Sequence, residues 1–460
     1  MARERPRWLK RILFLVIVGG IVFLGVSSCR SGPPPQVTLE TATPGIGRST
    51  EVTVAVSEPS RGLNRFRVEL IQDETVVLLD EKSYVPREPW RFWGDRTPRA
   101  DLTLSVGSDH QEQLREGQAT LRVTAEPAVA WLSRPEAVVE TLDLPVMLRP
   151  PQISITSSRT YVSQGGSEAV VYRVGETSIR DGVQAGDWFF PGYPLPGGEP
   201  DERFALFAAP FDHDDDSRIR LIALDIVGNQ STRRFVEQYN KRPFRNDSIL
   251  LNDRFLAKVV PAIMDQTPEL KDQGGLLENY LMINGDLRQK NAQTLVELAA
   301  KSQEDFPWAK VFMQMRNAQV RSSFADRRTY VYNGADVDQQ DHLGFDLAST
   351  RQAELQAANN GTVVLARYFG IYGNAVVIDH GYGLMSLYGH LSSIDVDEGQ
   401  QVARGEVIGK TGETGLAGGD HLHFTMLLHG LPVNPREWWD ATWIRNRIAA
   451  KLPGTLKFGS

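Results

Sequence analysis

The chain has 460 residues and a formal net charge of −7 at pH 7. This length is enough for about three or four domains, and so modest a charge gives no sign of nucleic-acid binding. The single cysteine, Cys29, excludes a cysteine-rich structural zinc site and intramolecular disulfides, so the domains must rest on their hydrophobic cores.

The N-terminal segment has the features of an export signal. The first 11 residues contain five Arg or Lys against one Glu, and an apolar run of 15 residues extends from Ile12 to Val26. This run has the length of a signal peptide and is short for a full membrane span. The sequence Val26-Ser-Ser-Cys29 resembles a bacterial lipobox, in which the cysteine becomes the lipidated N-terminus after cleavage.

Residues 1–29 are therefore predicted to be a signal peptide with a lipobox or an uncleaved N-terminal membrane anchor, with free secretion as a third alternative. Each alternative places the rest of the chain outside the cytoplasm. We expect a membrane-anchored protein of the bacterial cell envelope, with the C-terminal end in the periplasm.

A mainly β region follows the N-terminal segment. Residues 30–36 form a Pro-rich linker that should be stiff and extended. Alternating β-patterns then begin twice, each time after a Pro-Pro-Gln step, and predict two tandem β-sandwich modules at residues 37–150 and 151–243. The sequence Asp225-Ile-Val-Gly-Asn-Gln-Ser resembles a late turn of immunoglobulin-like bacterial modules, so an immunoglobulin-like fold is expected for them.

Between residues 244 and 318 the hydrophobic period becomes helical. The segments that begin at Leu276 and Leu295 have apolar residues at three-to-four spacing. This region is predicted to be a helical connector between the sandwiches and the C-terminal domain. Control of access to that domain is an additional possibility that no residue here demands.

The C-terminal part holds the residues with catalytic potential. Six of the eight histidines lie from His342 onward, in His342-Leu-Gly-Phe-Asp346, in Tyr388-Gly-His390-Leu, in His421-Leu-His423-Phe, and at two further positions. Histidine is the commonest metal ligand and titrates near neutral pH. This concentration of histidines therefore predicts a metal site or an acid–base site.

The spacing of these residues suits a zinc hydrolase. Alternate residues of a β-strand share one face, so His421 and His423 should point the same way, as should His342 and Asp346. Gly344 between them would leave room for an ion and its water. Catalytic zinc takes about three protein ligands and a water. Because the chain has no His-Glu-x-x-His motif, a general base must come from elsewhere, and the spare histidines are the natural supply.

In order, spacing and flanking residues, these motifs closely resemble the lysostaphin/LytM-type zinc peptidases, which cut peptidoglycan cross-bridges. The resemblance extends from about Phe324 to Trp439. It implies that one zinc ion is bound per chain and that the non-ligand histidines are catalytic; the implied ligands are His342, Asp346 and His423, and the implied catalytic residues are His390 and His421. Thr425 departs from the family, whose members often carry Glu there.

The resemblance also implies a compact antiparallel β peptidase domain, placed at residues 319–445, before a loosely packed tail at 446–460. The expected function is that of an envelope-anchored zinc metalloendopeptidase that hydrolyses peptide cross-links of peptidoglycan by zinc-activated water with histidine assistance. Two alternatives remain: a zinc peptidase acting on a protein substrate, and a non-catalytic regulator of a cell-wall amidase. The expected partners are peptidoglycan, the membrane through the N-terminus, and envelope regulator proteins, with no nucleic acid.

Overall fold

The computed structural model describes residues 7–28, 33–85, 95–129, 135–456 and 458. Its secondary structure is mainly β, as predicted. The chain divides into two compact units, Met1–Pro151 with Leu224–Gln230, and Gln152–Ala223 with Ser231–Ser460. The finer domain boundaries expected from the sequence stay predictions.

The N-terminal segment forms helix α1, Arg7–Ser28. Within it, the 18 residues Trp8–Gly25 are long and apolar enough to cross a membrane, with a mean hydropathy of 2.0, and none of them is buried. A signal sequence has the same length and composition, so the helix fits either a signal or an anchor. The predicted lipobox cysteine, Cys29, lies outside the described residues.

The first unit has two antiparallel sheets with one core between them. One sheet has the strand order β1-β2-β5 and the other β4-β3-β6-β7. Alternate residues of both sheets, such as Val54 and Val68, are buried in the shared core. The strands are β1 Gln36–Thr41, β2 Thr50–Ser57, β3 Leu63–Gln72, β4 Thr75–Ser83, β5 Arg99–Val106, β6 Gly117–Pro127 and β7 Val138–Val146.

Residues 153–240 form three further sheets, of strand order β13-β14-β10-β8, β12-β11-β15-β16 and β17-β9, and all of these residues except Leu224–Gln230 belong to the second unit. The strands are β8 Ile153–Ile155, β9 Thr160–Ser163, β10 Ser167–Val174, β11 Ser178–Ala185, β12 Trp188–Pro191, β13 Tyr193–Pro194, β14 Glu202–Ala208, β15 Ile219–Asp225, β16 Gln230–Arg233 and β17 Val236–Asn240. For both sheet regions, the immunoglobulin-like assignment stays a prediction.

Three helices lie inside residues 244–318, which were predicted to be helical, but the start of that region forms strand β18, Asn246–Leu251, instead. The helices are α2 Asp253–Gln266, α3 Leu276–Met282 and α4 Arg288–Ala299, with a π-helical turn at Ile283–Leu287 between the last two. Asn252 caps α2 by accepting a hydrogen bond from the amide of Phe255 at 2.9 Å. The apolar face of α2 packs with Tyr280, Tyr330 and Ile371, so the helices lie on the C-terminal domain rather than only leading to it.

The C-terminal part is built on an eight-stranded sheet of order β19-β22-β30-β26-β25-β24-β28, with β31 paired to β30. Two three-stranded sheets, β18-β20-β21 and β23-β29-β27, accompany it, and most of their strands lie between strands of the large sheet along the chain. The strands are β18 Asn246–Leu251, β19 Gln319–Ser322, β20 Asp326–Tyr332, β21 Ala335–His342, β22 Phe345–Ala348, β23 Glu354–Gln356, β24 Gly361–Tyr368, β25 Asn374–Asp379, β26 Leu384–Leu391, β27 Ser393–Ile394, β28 Gln401–Val402, β29 Val407–Lys410, β30 Leu422–Leu428 and β31 Leu431–Val433.

The last elements of the described chain are two short helices, α5 Pro435–Trp438 and α6 Ala441–Ile444, followed by a π-helical turn at Arg445–Ala449. The prediction of a loosely packed tail at 446–460 is wrong for the first part of that range, because Ile448 and Leu452 are fully buried. The ammonium of Lys451 donates to the carbonyl oxygen of Ala169 at 2.8 Å and pairs with Glu168 at 3.1 Å. These partners lie on β10, almost 300 residues away, so no local pattern could indicate them.

Candidate metal centre and its cleft

His342 and Asp346 do not lie on one strand as expected. His342 ends β21, whereas Asp346 belongs to β22, and the chain bends between them at Gly344. A Cβ atom at Gly344 would lie 2.6 Å from Oγ1 of Thr425 and 2.7 Å from Nε2 of His423. The space that this glycine leaves is therefore filled by two side chains of β30, not by the ion and water predicted from the sequence.

Strand pairing brings the third residue to the first two. His423 on β30 pairs with Asp346 on β22 on one side and with Gly389 on β26 on the other. Cross-strand neighbours lie close enough for their side chains to touch. The register of β30 therefore places His423 between the two other motifs.

Three potential ligand atoms converge at this point. Nε2 of His342 lies 2.9 Å from Oδ1 of Asp346 and 3.1 Å from Nδ1 of His423, and that Nδ1 lies 3.0 Å from the same Oδ1. Neighbouring ligands of a tetrahedral zinc ion are about 3.3 Å apart, given bonds of about 2.0–2.1 Å. The donor set of two imidazoles and one carboxylate fits a metal ion with only a small expansion.

The outward-facing atoms of the same three residues have partners of their own. Nδ1 of His342 donates to the carbonyl oxygen of Ser323 at 3.0 Å. Oδ2 of Asp346 accepts from Arg328 at 2.8 Å. Such contacts orient metal ligands and fix the tautomer of the imidazole. They leave Nε2 of His342 and Oδ1 of Asp346 facing the point of convergence.

His390 lies at an irregularity of β26. Opposite it the pairing with β25 shifts register, so that Gly389 and His390 together face Ala375, which is a β-bulge. The backbone of His390 is left-handed, with a φ of 67°. Such a backbone is strained for a non-glycine residue and is typical of functional sites. Nδ1 of His390 donates to the carbonyl oxygen of Thr414 at 2.8 Å, which leaves Nε2 as a free base.

His421 precedes β30 and lies beside His390, with ring centroids 4.8 Å apart. Its Nδ1 donates to the carbonyl oxygen of Gly419 at 2.7 Å. Its Nε2 lies 3.5 Å from Oδ1 of Asp346. All five residues singled out in the sequence therefore meet in one place, although the role of each is not fixed by proximity.

The electrostatics of the cluster separate its members. Burial lowers the pKa of His423 to about 4. Burial and the neighbouring histidines also hold the pKa of His390 well below its usual value. Burial opposes ionisation of Asp346, but the adjacent histidines outweigh it and hold the pKa of that carboxyl well below its usual range. The lowered pKa values of His423 and His390 favour a neutral ring at both positions, and a neutral imidazole is the form that binds a metal cation or accepts a proton.

The cluster lines a cavity of about 660 Å³. Residues of β18 and α2, including Arg254 and Lys258, line it together with Arg288, Tyr372 and Glu413. The ring of Tyr372 lies 5.5 Å from the ring of His423. The volume is in the range of small-molecule and peptide sites.

The sequence did not identify Arg328 and Tyr372 as residues of the site, and Thr425 stood out only as a departure from a motif. Arg328 belongs to β20 and reaches Asp346 across two sheets, so its spacing in the sequence carries no signal. Tyr372 lies in a short 3₁₀ turn, Gly370–Tyr372, that no periodicity predicts.

Comparison with known proteins identifies the domain that carries this cluster. Residues 340–435 match the model of peptidase family M23. The chain is 32% identical over 169 residues to the peptidoglycan DD-endopeptidase ShyA of Vibrio cholerae, covering 37% of this chain and 36% of that protein. It is 43% identical over 94 residues to the DD-carboxypeptidase/endopeptidase Mpg of Neisseria meningitidis, covering 20% of this chain and 22% of that protein.

A third relative is of a different kind. The murein hydrolase activator EnvC of Escherichia coli is 38% identical over 95 residues, covering 21% of this chain and 23% of that protein. The chain thus spans about a third or less of the length of each of these relatives. What the matches share is the C-terminal part of this chain, and residues 340–435 are a LytM-type domain of peptidase family M23.

Proposed function

We propose that the chain is an envelope-anchored zinc metalloendopeptidase that hydrolyses peptide cross-links of peptidoglycan. The observation that carries the proposal is the convergence of Nε2 of His342, Oδ1 of Asp346 and Nδ1 of His423 within 4.8 Å of one another. The similarity to ShyA and Mpg, both named as peptidases, supports the same reaction class.

In this proposal His342, Asp346 and His423 hold one zinc ion. A zinc ion there would lower the pKa of a bound water from about 15.7 towards about 7 and polarise the scissile carbonyl. The protein orients the ligands: Ser323 and Arg328 fix the outer atoms of two of them. All three ligands are buried, each at most 8% exposed, so bulk water has little access to their ligand atoms.

His390 and His421 are the proposed catalytic residues. Because Nδ1 of His390 donates to Thr414, its Nε2 lone pair can accept the proton of the attacking water. Because Nδ1 of His421 donates to Gly419, its Nε2 is the atom that faces the cavity. When it carries a proton, it can donate a hydrogen bond to the developing oxyanion and then protonate the leaving amine.

Helix α1 supports a location in the cell envelope. Its 18-residue apolar segment serves equally as a cleaved signal or as a retained anchor, and both deliver the C-terminal domain across a membrane. The lipoprotein alternative depends on acylation of Cys29.

The regulator alternative has one supporting observation, the match to the activator EnvC. LytM-type domains that only bind a partner typically lack metal ligands, whereas this chain has all five residues of the site. The five filled positions therefore favour the enzyme. A peptidase acting on a protein substrate shares the chemistry and differs only in what enters the cavity.

The test compares the full chain with its His423→Ala variant. We expect one zinc per wild-type chain by atomic absorption and release of peptide fragments from purified sacculi, identified by mass spectrometry. The variant should lose most zinc and all release, because two protein ligands bind zinc weakly. Zinc-loaded wild type that releases nothing from sacculi, yet stimulates a cell-wall amidase, would establish the regulator instead.

A further inference from the structure

The cavity beside the metal cluster is lined by more basic than acidic side chains. Four basic residues line it: Arg254, Lys258, Arg288 and Arg328. Two acidic residues line it, Asp346 and Glu413. The chain as a whole has a net charge of −7, so the sign of the charge is reversed locally. Clefts lined by one sign of charge concentrate ligands of the opposite sign.

Two of these four cations are neutralised within the protein. Arg328 pairs with Asp346 at 2.8 Å, and Lys258 pairs with Glu413 at 2.9 Å. Each ion pair cancels one positive and one negative charge among the side chains that line the cavity. The positive excess therefore rests on Arg254 and Arg288.

The guanidinium groups of these two arginines retain free donors. Nε and Nη2 of Arg288 donate to the carbonyl and side-chain oxygens of Asn284 at 3.0 and 2.5 Å, which are neutral acceptors. The amide of Asn284 in turn donates to Asp338 at 2.6 Å, so that carboxylate does not contact Arg288 directly. Arg254 is exposed, and among the described residues its side chain has no hydrogen bond or ion pair.

Both arginines line the same cavity as the catalytic cluster. The charge of Arg288 acts against the burial that raises the pKa of Tyr372, and the ring of Tyr372 lies 5.5 Å from that of His423. Arg254 lies one turn before Lys258 on α2, and Lys258 pairs with Glu413. The next residue, Thr414, accepts the hydrogen bond that fixes His390.

We propose that Arg254 and Arg288 form a carboxylate-binding subsite that holds an anionic group of the substrate peptide beside the scissile bond. This inference rests on the proposed function and names the substrate class as peptides with a free carboxylate. A guanidinium binds a carboxylate through two parallel hydrogen bonds, which fix orientation as well as distance. Both arginines lie outside residues 340–435, the part of the chain that matches the family model.

The experiment uses the full-length protein and two probes: a cross-linked peptide dimer purified from peptidoglycan, and the same dimer with its carboxylates amidated. Equilibrium binding is measured for a zinc-loaded His390→Ala background, so that the probe is not consumed. We expect the free-carboxylate dimer to bind about 10-fold more tightly or better, since a hydrogen bond to a charged group is worth about 1.5–3 kcal/mol. The preference should shrink between about 0.05 and 0.5 M NaCl.

Variants of the two arginines test whether these residues cause the preference for the free-carboxylate dimer. Arg254→Gln and Arg288→Gln should each reduce the preference, and together they should abolish it. Lys290→Gln is the matched control, because it removes an exposed cation of α4 that does not line the cavity. Equal binding of the two dimers, or an unchanged preference in the double variant, overturns the subsite.

Hydrolysis by the wild-type protein is read separately. Cleavage of both dimers at equal kcat/KM would overturn the subsite while leaving the proposed function intact. Preferential binding without cleavage of either dimer would support the subsite and refute the peptidase.

Discussion

The hydroxyl of Thr425 lies 3.0 Å from Nε2 of His423. The same hydroxyl donates its only proton to the carbonyl oxygen of Leu343 at 2.9 Å, so it must accept from Nε2–H. Nδ1 of His423 is then the unprotonated nitrogen, and it is the atom that faces His342 and Asp346. Thr425 thus supplies an orienting acceptor at the position where the family often has Glu.

Replacing this hydroxyl should weaken metal binding without removing a ligand. We expect Thr425→Val to lower zinc affinity about 10- to 100-fold, the usual effect of losing a group that orients a ligand. Affinity is measured by competition with a chromophoric chelator. Thr425→Ser keeps the hydroxyl and should stay close to wild type, and unchanged affinity in the Val variant would show that Thr425 does not orient His423.

The contrast between His423 and Arg328 shows what the sequence could predict. Spacing in a strand predicted that His421 and His423 share a face, and both rings do approach Asp346, at 3.5 and 3.0 Å. Arg328 reaches the same carboxylate at 2.8 Å from another sheet. The first relation depends on local geometry and the second on tertiary pairing, which a single sequence does not encode in readable form.

A second prediction separates catalysis from metal binding. His390→Ala and His421→Ala should retain zinc, because neither residue belongs to the three that converge. Each should lose activity on sacculi by about 10²–10⁴-fold, the usual contribution of a positioned acid–base group or oxyanion donor. Zinc content and initial rates are measured on the same preparation. Near wild-type rates in both variants would leave the cluster without a catalytic histidine.

A third prediction uses Gly344. A methyl group there would lie 2.6 Å from Oγ1 of Thr425 and 2.7 Å from Nε2 of His423, so one of these side chains must move. We expect Gly344→Ala to reduce zinc affinity and activity together, with a smaller effect on the thermal midpoint. Gly285→Ala is the control, because a Cβ atom at that position meets nothing within 4 Å and the residue does not line the cavity. Full zinc affinity in the Gly344 variant would mean that the site relaxes without loss.

The buried contacts of Glu437 could not be predicted from the sequence. Glu437 lies in the short helix α5, Pro435–Trp438. Its side chain is buried, and its carboxylate accepts from the amide of Ser167 at 2.7 Å and from Arg242 at 2.9 Å. These partners belong to the preceding sheet region, so burial here joins two parts of the chain that the sequence presents as separate modules.

The last prediction concerns pH. Burial raises the pKa of Glu437 to about 7, against the opposing charge of Arg242, while Glu168 acts in the same direction as burial and Arg447 against it. A carboxyl whose folded pKa is raised binds its proton more tightly in the folded state. Its contribution to stability is therefore complete below the unfolded pKa, near 4.5, and is lost as the pH rises through about 7.

Wild-type protein should accordingly lose stability from this residue between about pH 4.5 and 7, with a ceiling of about 3 kcal/mol. Glu437→Gln mimics the protonated acid, keeps one acceptor oxygen for either Ser167 or Arg242, and should not show this loss. The measured quantity is the difference in thermal midpoint between wild type and variant across that pH range, which should change steadily in favour of the variant. Glu176→Gln, at an exposed position, should follow wild type throughout. If the wild-type and Glu437→Gln curves run parallel, Glu437 is already ionised in the folded protein at pH 5, and Arg242 rather than burial governs its charge.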